Sequence, residues 1–317
     1  MIAATITIDT EADHRGDAWV KTAPLRFESV TEGVRHAMAP LFAKHRARPT
    51  YLVTTEVMND EASVEALARS ADCELGTHLH GDHVAPAARA PDPAGQTSWD
   101  FTCCYPAEVE RAKLETITAQ FRDRFGRAPQ SYRAGRYGAS GRTARYLADL
   151  GYRVETSVTP GIEWVNEIDS THRLDFRHAP LVPYRPSVTD LASEGNLPIW
   201  EVPVTILEHP ALWNHGFHLA QRALGKPVQS YPLWLRPSTT SRAWLWWMVR
   251  EVMRRPGPKL FNIMFHSMEV VAGASPYNPN GAATARILRR LDYLLGLLTA
   301  HGATFYTLGE LAEALDR

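Results

Sequence analysis

A parallel α/β sheet or barrel is the fold class that the sequence predicts, on three observations. Strand-like and helix-like segments alternate along the 317 residues. Polar clusters stand where predicted strands end, the edge at which parallel α/β folds bind ligands. Neither an internal repeat nor a Ser/Gly linker divides the chain, and its length suits one barrel, a single domain spanning 1–317.

Each element follows from its pattern. Residues 2–8 (IAATITI) are β-branched or Ala and run into acidic residues, a first strand with a polar tip. Residues 30–46 carry apolar positions at helical spacing, with Pro40 expected to kink or interrupt the helix. A strand over 50–54, a short helix over 60–69 and a strand over 73–77 follow, the last running into a His-rich tip. Residues 84–105 hold several Pro, Ala and Gly residues and read as a long loop. A charged amphipathic helix over 106–125 opens on Pro106, which suits a first turn. A strand near 131–134, a helix near 141–150 and a strand near 152–158 come next.

Residues 159–198 are irregular and rich in Pro, long for a loop, and read as an insertion. The strand expected over 199–206 contains Pro203, which argues for an edge or a bulge. A Trp-rich helix spans 240–254, a buried strand 260–265 ends in His266, and a helix over 283–301, a strand over 303–306 and a helix over 308–316 complete the chain.

Composition excludes several classes. Hydrophobic residues are 44% and charged residues 22%, ordinary for a globular protein, so global disorder and fibrous designs are excluded. Lys+Arg is 34 against 35 for Asp+Glu, so no basic excess drives nucleic-acid binding. The 3 cysteines, Cys73, Cys103 and Cys104, are odd in number and two are adjacent, a poor disulfide framework. The N-terminus lacks a charged region followed by a long apolar stretch, and no apolar run approaches transmembrane length. The expectation is a cytoplasmic protein with no transmembrane segment and no nucleic-acid partner.

Three polar clusters carry the chemistry. In Asp9-Thr10-Glu11 the two carboxylates share one side of a strand and converge. The second cluster, Gly76 to His83, holds His78, His80, Asp82 and His83, and the third is Phe265-His266-Ser267. A carboxylate with two imidazoles, and room for water, is the donor set of a catalytic zinc-type site. Singly, each piece has a plain alternative. An acidic pair after a strand is more often a turn or helix cap, and a lone His after a buried strand is usually structural. It is the ordered set at strand ends that points to function.

Taken together, Thr7–Glu11 (TIDTE), Glu74–His80 (ELGTHLH), Tyr132–Gly138 (YRAGRYG), Trp200–Thr205 (WEVPVT) and Phe265–Ser267 (FHS) resemble the NodB-homology polysaccharide deacetylases, carbohydrate esterase family 4. They stand in the family's order, and the second and third resemble a WalW-like branch. The resemblance implies a distorted (β/α) barrel of the NodB polysaccharide deacetylase type and a metal-dependent hydrolase. That enzyme would remove an N-acetyl or N-acyl group from an amino sugar or glycoconjugate. A non-sugar amide hydrolase on the same scaffold and a catalytically silent carbohydrate-binding barrel are the rival readings. Asp9 matches the general base, Arg133 the arginine that pairs with it, and His266 the general acid. Glu11 and His78 match metal ligands of a divalent cation, zinc first, with Co2+, Ni2+ or Mn2+ as alternatives.

The family's second His would fall at position 82, which is Asp82 here. His80 is the choice for third ligand, because His78 and His80 share a face if the strand continues; Asp82 and His83 stay open. Arg136 and Tyr137 stand in the substrate-binding motif, with a backbone N–H near Tyr137 expected to hold the oxyanion. In the Trp-rich segment 241–250, Trp244, Trp247 and Met248 can share one face while Trp246 points elsewhere. Core or dimer packing is its plain reading, a homo-oligomer included. A sugar platform is the sharper one, and the flanking arginines add a case for a membrane surface.

Overall fold

The computed structural model describes residues 1–17, 21–86, 101–166, 170–211, 213–215 and 232–317. Most of the loop expected over 84–105 therefore lies outside the described residues, as do residues 167–169 of the expected insertion.

One parallel sheet organises the chain. Its strands are β1 (Ile2–Thr10), β2 (Pro49–Val53), β3 (Glu74–Leu79), β4 (Ser131–Ala134), β5 (Val154–Glu155), β8 (Trp200–Glu201), β11 (Lys259–His266) and β12 (Thr304–Phe305). They run in the order β11-β1-β2-β3-β4-β5-β8, with β12 beside the start of β1. Every pair is parallel, and the register sets Asp9 beside His266 and His78 beside Arg133. All four thus reach the C-terminal edge of the sheet.

The outward side chains of β1 (Ala4, Ile6, Ile8) pack on the helices in the main core, against Val30, Val34, Met38 and Phe42. Inward-facing Ala3, Val154, Val202 and Leu260 plug the bottom of the barrel, closed by Leu308, Leu311 and Ala312 of the last helix, Leu308–Leu315. Above this plug the interior turns polar, with Thr7, Arg133, Thr156 and Asn262 hydrogen-bonded to one another.

Pro203 decides how the barrel draws together. It has no N–H to give to a ladder, so the strand expected over 199–206 splits into β8 and β9 (Ile206–Leu207). The second piece pairs antiparallel with β10 (Leu233–Trp234) instead of extending the parallel sheet. Thr205 then crosses to β11: its N–H donates to the Asn262 carbonyl at 3.2 Å and its Oγ1 accepts the Asn262 N–H at 2.8 Å. These two bonds link the far sides of the open sheet.

Helices differ from expectation mainly at prolines. Pro40 lies at the start of α1 (Ala39–His45), just where the hydrogen-bond pattern of the helix changes. The preceding turns, Ser29–Met38, are wide, with the Ala39 N–H bonded to the Val34 carbonyl. The predicted interruption is thus a change of helix type. The helix expected over 60–69 is preceded by α2 (Thr55–Asn59) and realised as α3 (Glu61–Ala68). The helices α4 (Ala107–Phe125), α5 (Gly141–Asp149), α6 (Arg242–Arg254) and α7 (Gly281–Ala300) match their predicted segments closely.

Within 159–198 the chain is not wholly irregular: β6 (Glu163–Val165) and β7 (Arg173–Asp175) form an antiparallel hairpin. In the Trp-rich helix α6, Met248 is buried, Trp244 and Trp247 pack on the core, and Trp246 is 44% exposed. Among the described residues no helix is long and apolar enough to cross a membrane.

Candidate metal centre and active site

Arg133 is the keystone of the polar interior. It is fully buried, yet every nitrogen has a partner: Nε donates to the Thr156 carbonyl at 2.8 Å, one terminal nitrogen to Thr7 Oγ1 at 2.8 Å, and the other to Asp9 Oδ1 at 2.6 Å. Burial would raise the Asp9 pKa, but the charges of Arg133, His78 and His266 outweigh it and hold the carboxyl below its usual range. Asp9 Oδ2 then faces His78 Nε2 and His266 Nε2, each at 3.9 Å.

Glu11, just past β1, emerges on the same side and is also buried. Its Oε1 lies 3.4 Å from His78 Nε2 and 3.6 Å from His80 Nε2, and the three residues offer ligand atoms within 4.8 Å of one another. His80 continues the extended backbone of β3, so the alternation that carries His78 inward also carries His80 inward.

Two observations test whether a cation fits this group. His80 Nε2 is buried and has no hydrogen-bond partner among the described residues, the Glu11 oxygen at 3.6 Å being too far, which is costly unless something else satisfies it. His78 Nδ1 lies 3.0 Å from the Arg133 carbonyl, which can only accept, so Nδ1 carries a proton and Nε2, facing Glu11 at 3.4 Å, is the atom left to bind a cation. A ring fixed by an outer hydrogen bond is the usual arrangement of a metal-binding His. The residues fit a divalent cation.

Neighbouring charges shape the group. Burial would raise the Glu11 pKa, but the Lys21 ammonium at 2.9 Å from Oε2 and the nearby His80 bring it well below the ordinary value. Lys21 also pairs with Glu56 at 2.6 Å. Burial lowers the His78 pKa, and the carboxylates of Asp9 and Glu11 more than reverse it. For His80, burial prevails and the pKa falls. His14 approaches Glu11 Oε2 at 4.0 Å, with burial taking its pKa down to about 4.

The two alternatives for the third ligand lie elsewhere. Asp82 accepts the Tyr105 hydroxyl at 3.1 Å, and the His83 ring centroid is 6.3 Å from that of His80. Both sit in the tight turn Gly81–His83, where the strand alternation has ended.

His266, at the end of β11, is about one-fifth exposed and reaches toward Asp9 and Glu11. Its Nδ1 lies 2.9 Å from Glu269 Oε1 and 2.8 Å from an Arg236 nitrogen. When Nδ1 carries its proton it donates to Glu269, which also accepts the His266 backbone N–H at 3.1 Å and pairs with buried Arg236. Burial opposes ionisation of Glu269, but Arg236 and His266 bring its pKa down to about 2. Sequence reasoning missed both residues. Glu269 had a signal, the spacing of a capping box three residues after His266. Arg236 had none, because it comes from a distant segment.

Arg136 and Tyr137 follow β4 in a short turn with φ of 54° and 59°. Two adjacent non-glycine residues in the left-handed region cost of order 1–3 kcal/mol each, and such strain gathers at working sites. The turn brings the Tyr137 ring into a cluster: it stacks on Trp164 (5.4 Å, 17°) and lies 5.6 Å from Trp234. Trp164 belongs to the β6–β7 hairpin and was also missed, since nothing local marks it as neighbouring Tyr137.

No protein-family model matches the chain, and no curated protein matches it. Solved structures do. A candidate glycoside hydrolase/deacetylase from Parabacteroides distasonis aligns with a TM-score of 0.61 at 17% identity, over 98% of this chain and 70% of that one. A candidate polysaccharide deacetylase from Mycobacterium smegmatis aligns with a TM-score of 0.52 at 13% identity, over 99% and 89%. At these identities the likeness concerns architecture. With its curled parallel sheet and the Thr205–Asn262 link across the opening, the chain has the distorted (β/α) barrel fold of the NodB-type polysaccharide deacetylases.

Proposed function

We propose that this chain is a metal-dependent amide hydrolase that removes an N-acetyl or N-acyl group from an amino sugar or glycoconjugate. One observation carries the reading. A buried carboxylate held ionised by Arg133 stands beside a separate Glu-His-His group, and His266 faces both at 3.9 Å. Glu11, His78 and His80 would hold the cation. Bound there, a zinc-type ion would polarise the amide carbonyl and lower the pKa of water.

The protein's own groups do the rest. Asp9, kept ionised by Arg133, takes a proton from the water that attacks the acetamide carbon. The backbone N–H at Tyr137 is offered to the oxygen on which negative charge develops. Protonated His266, oriented through Nδ1 by Glu269, passes a proton to the amine nitrogen as the C–N bond breaks, and acetate and the free amine leave. The Tyr137–Trp164–Trp234 cluster gives the apolar face of a sugar ring a surface to rest on, with Arg136 beside it for polar substituents. This supports a sugar over a small linear amide. The neighbouring fold of a protein described as a polysaccharide deacetylase supports it too.

The test is acetate release from a panel of N-acetylated amino sugars and their conjugates. Release that stops with a chelator, returns with added Zn2+, and leaves the circular dichroism unchanged is expected, because a large barrel does not depend on metal to fold. Turnover that continues in metal-free protein would overturn the mechanism.

A further inference from the structure

Helix α6 and its neighbour α7 carry a feature that the catalytic reading does not use. Arg242, Trp246, Arg250 and Arg254 recur at every fourth position of α6 and are all exposed, so they form one stripe along its outer face. Trp246 is 44% exposed, and the Arg250 guanidinium lies over its ring at 5.3 Å. The two helices pack side by side, and the Arg242 guanidinium sits 4.2 Å over Tyr293 of α7. That helix adds exposed Arg286 and Arg289.

Acids do not balance these charges. The sole acid of α6, Glu251, lies beside Arg255, and the sole acid of α7, Asp292, is held by Lys44 and His45. Among the described residues no ion pair joins Arg250, Arg254, Arg286 or Arg289 to a carboxylate. In a chain of net charge -1 this is a local excess of one sign. Near the start of α6, Trp213 is 53% exposed and meets Trp244 edge-on at 5.3 Å.

We propose that this face docks on an anionic lipid bilayer. Indole rings prefer the boundary between headgroups and acyl chains, and arginines around them are attracted to anionic headgroups. A purely electrostatic partner would leave the exposed tryptophans without a role, and a purely apolar one would leave the arginines without one. Buried Arg236, which pairs with Glu269 behind His266, precedes α6 in the chain, so the segment that supports the site leads directly into the helix that carries this face. The docking proposal itself does not depend on the hydrolase reading.

Sedimentation with vesicles tests it, using the full chain at moderate salt. Binding to phosphatidylcholine–phosphatidylglycerol vesicles, but not to phosphatidylcholine alone, with a blue shift of tryptophan emission, is the expected result. R250E/R254E should weaken binding at least about 25-fold, from about 5-fold per arginine lost. W246A should reduce both the affinity and the blue shift. Each variant should keep its circular dichroism and its acetate release from a soluble substrate, which separates loss of docking from loss of fold or chemistry. Equal binding to neutral and anionic vesicles, no binding to either, or undiminished binding by R250E/R254E would overturn the proposal. So would equal capture by soluble heparin without any blue shift.

Discussion

Gly135 shows how closely one residue can govern another across two strands. A Cβ built there would stand 2.6 Å from His80 Nδ1, well inside contact distance, so the His80 ring occupies space that only glycine leaves open. The G135A variant should therefore turn His80 away from Glu11 and His78. We expect zinc affinity to fall about 10–100-fold, measured by competition with a chromophoric chelator, with the fold intact. Unchanged affinity would mean that the ring has another place to go. For the acid and base, D9N and H266A should each lower kcat by about 10²–10⁴-fold. In D9N the new side-chain amide keeps an oxygen for Arg133, so the buried guanidinium retains a partner and the circular dichroism should hold. Near-normal turnover by both variants would remove these residues from the mechanism. Asp9, Glu11, His78 and His266 were legible in the sequence because each ends a strand whose alternation fixes its side. Arg236 and Trp164 were not, because their partners come from packing rather than from spacing; Glu269 carried only the capping-box spacing after His266.

At the scale of an element, the β6–β7 hairpin is the instructive case. The segment 159–198 reads as irregular because its strands are three residues each and prolines surround them. Yet the hairpin sets Trp164 against Tyr137, with the Trp164 indole N–H donating to Thr159 Oγ1 at 2.8 Å. If the ring supports a sugar in ground state and transition state alike, W164A should raise KM about 10-fold or more and leave kcat within a few-fold. A fall in kcat at constant KM would instead place Trp164 in the chemistry. The strand expected over 199–206 teaches a related lesson. Its composition says strand throughout, but Pro203 removes one donor, and the ladder breaks in favour of the crossing to Asn262.

For the whole molecule, pH dependence of stability reports on a group buried far from solvent. Glu201 and Glu155 are neighbouring buried carboxyls, and Glu201 Oε2 finds no hydrogen-bond partner among the described residues. Burial, reinforced by the Glu155 carboxyl, raises the Glu201 pKa well above its usual value. The folded protein then holds a proton that the unfolded chain releases above about pH 4.3, so stability falls as pH rises from there through the raised value. E201Q is neutral throughout and removes this slope. Urea unfolding at pH 5 and pH 8 should show the variant gaining on the parent at the higher pH; parallel behaviour would place the titration elsewhere.

By itself the sequence determined the α/β class, the strand ends and the side on which most of the chemical residues fall. All of these follow from local periodicity and from chain-order motifs such as TIDTE and FHS. Which residues of the His-rich tip come together was left among His80, Asp82 and His83. That question rests on where extended backbone gives way to a turn, and one residue of difference reverses a side chain's face. Tertiary structure decided it through the pairing of β3 with β4, which seats the His80 ring on Gly135 while Asp82 turns to Tyr105. The curl of the sheet, which sets β4 across the interior from β1 with β2 and β3 between them, delivers Arg133 to Asp9 over a sequence distance that no spacing rule spans, because such contacts are set by sheet register and by what the core will accept.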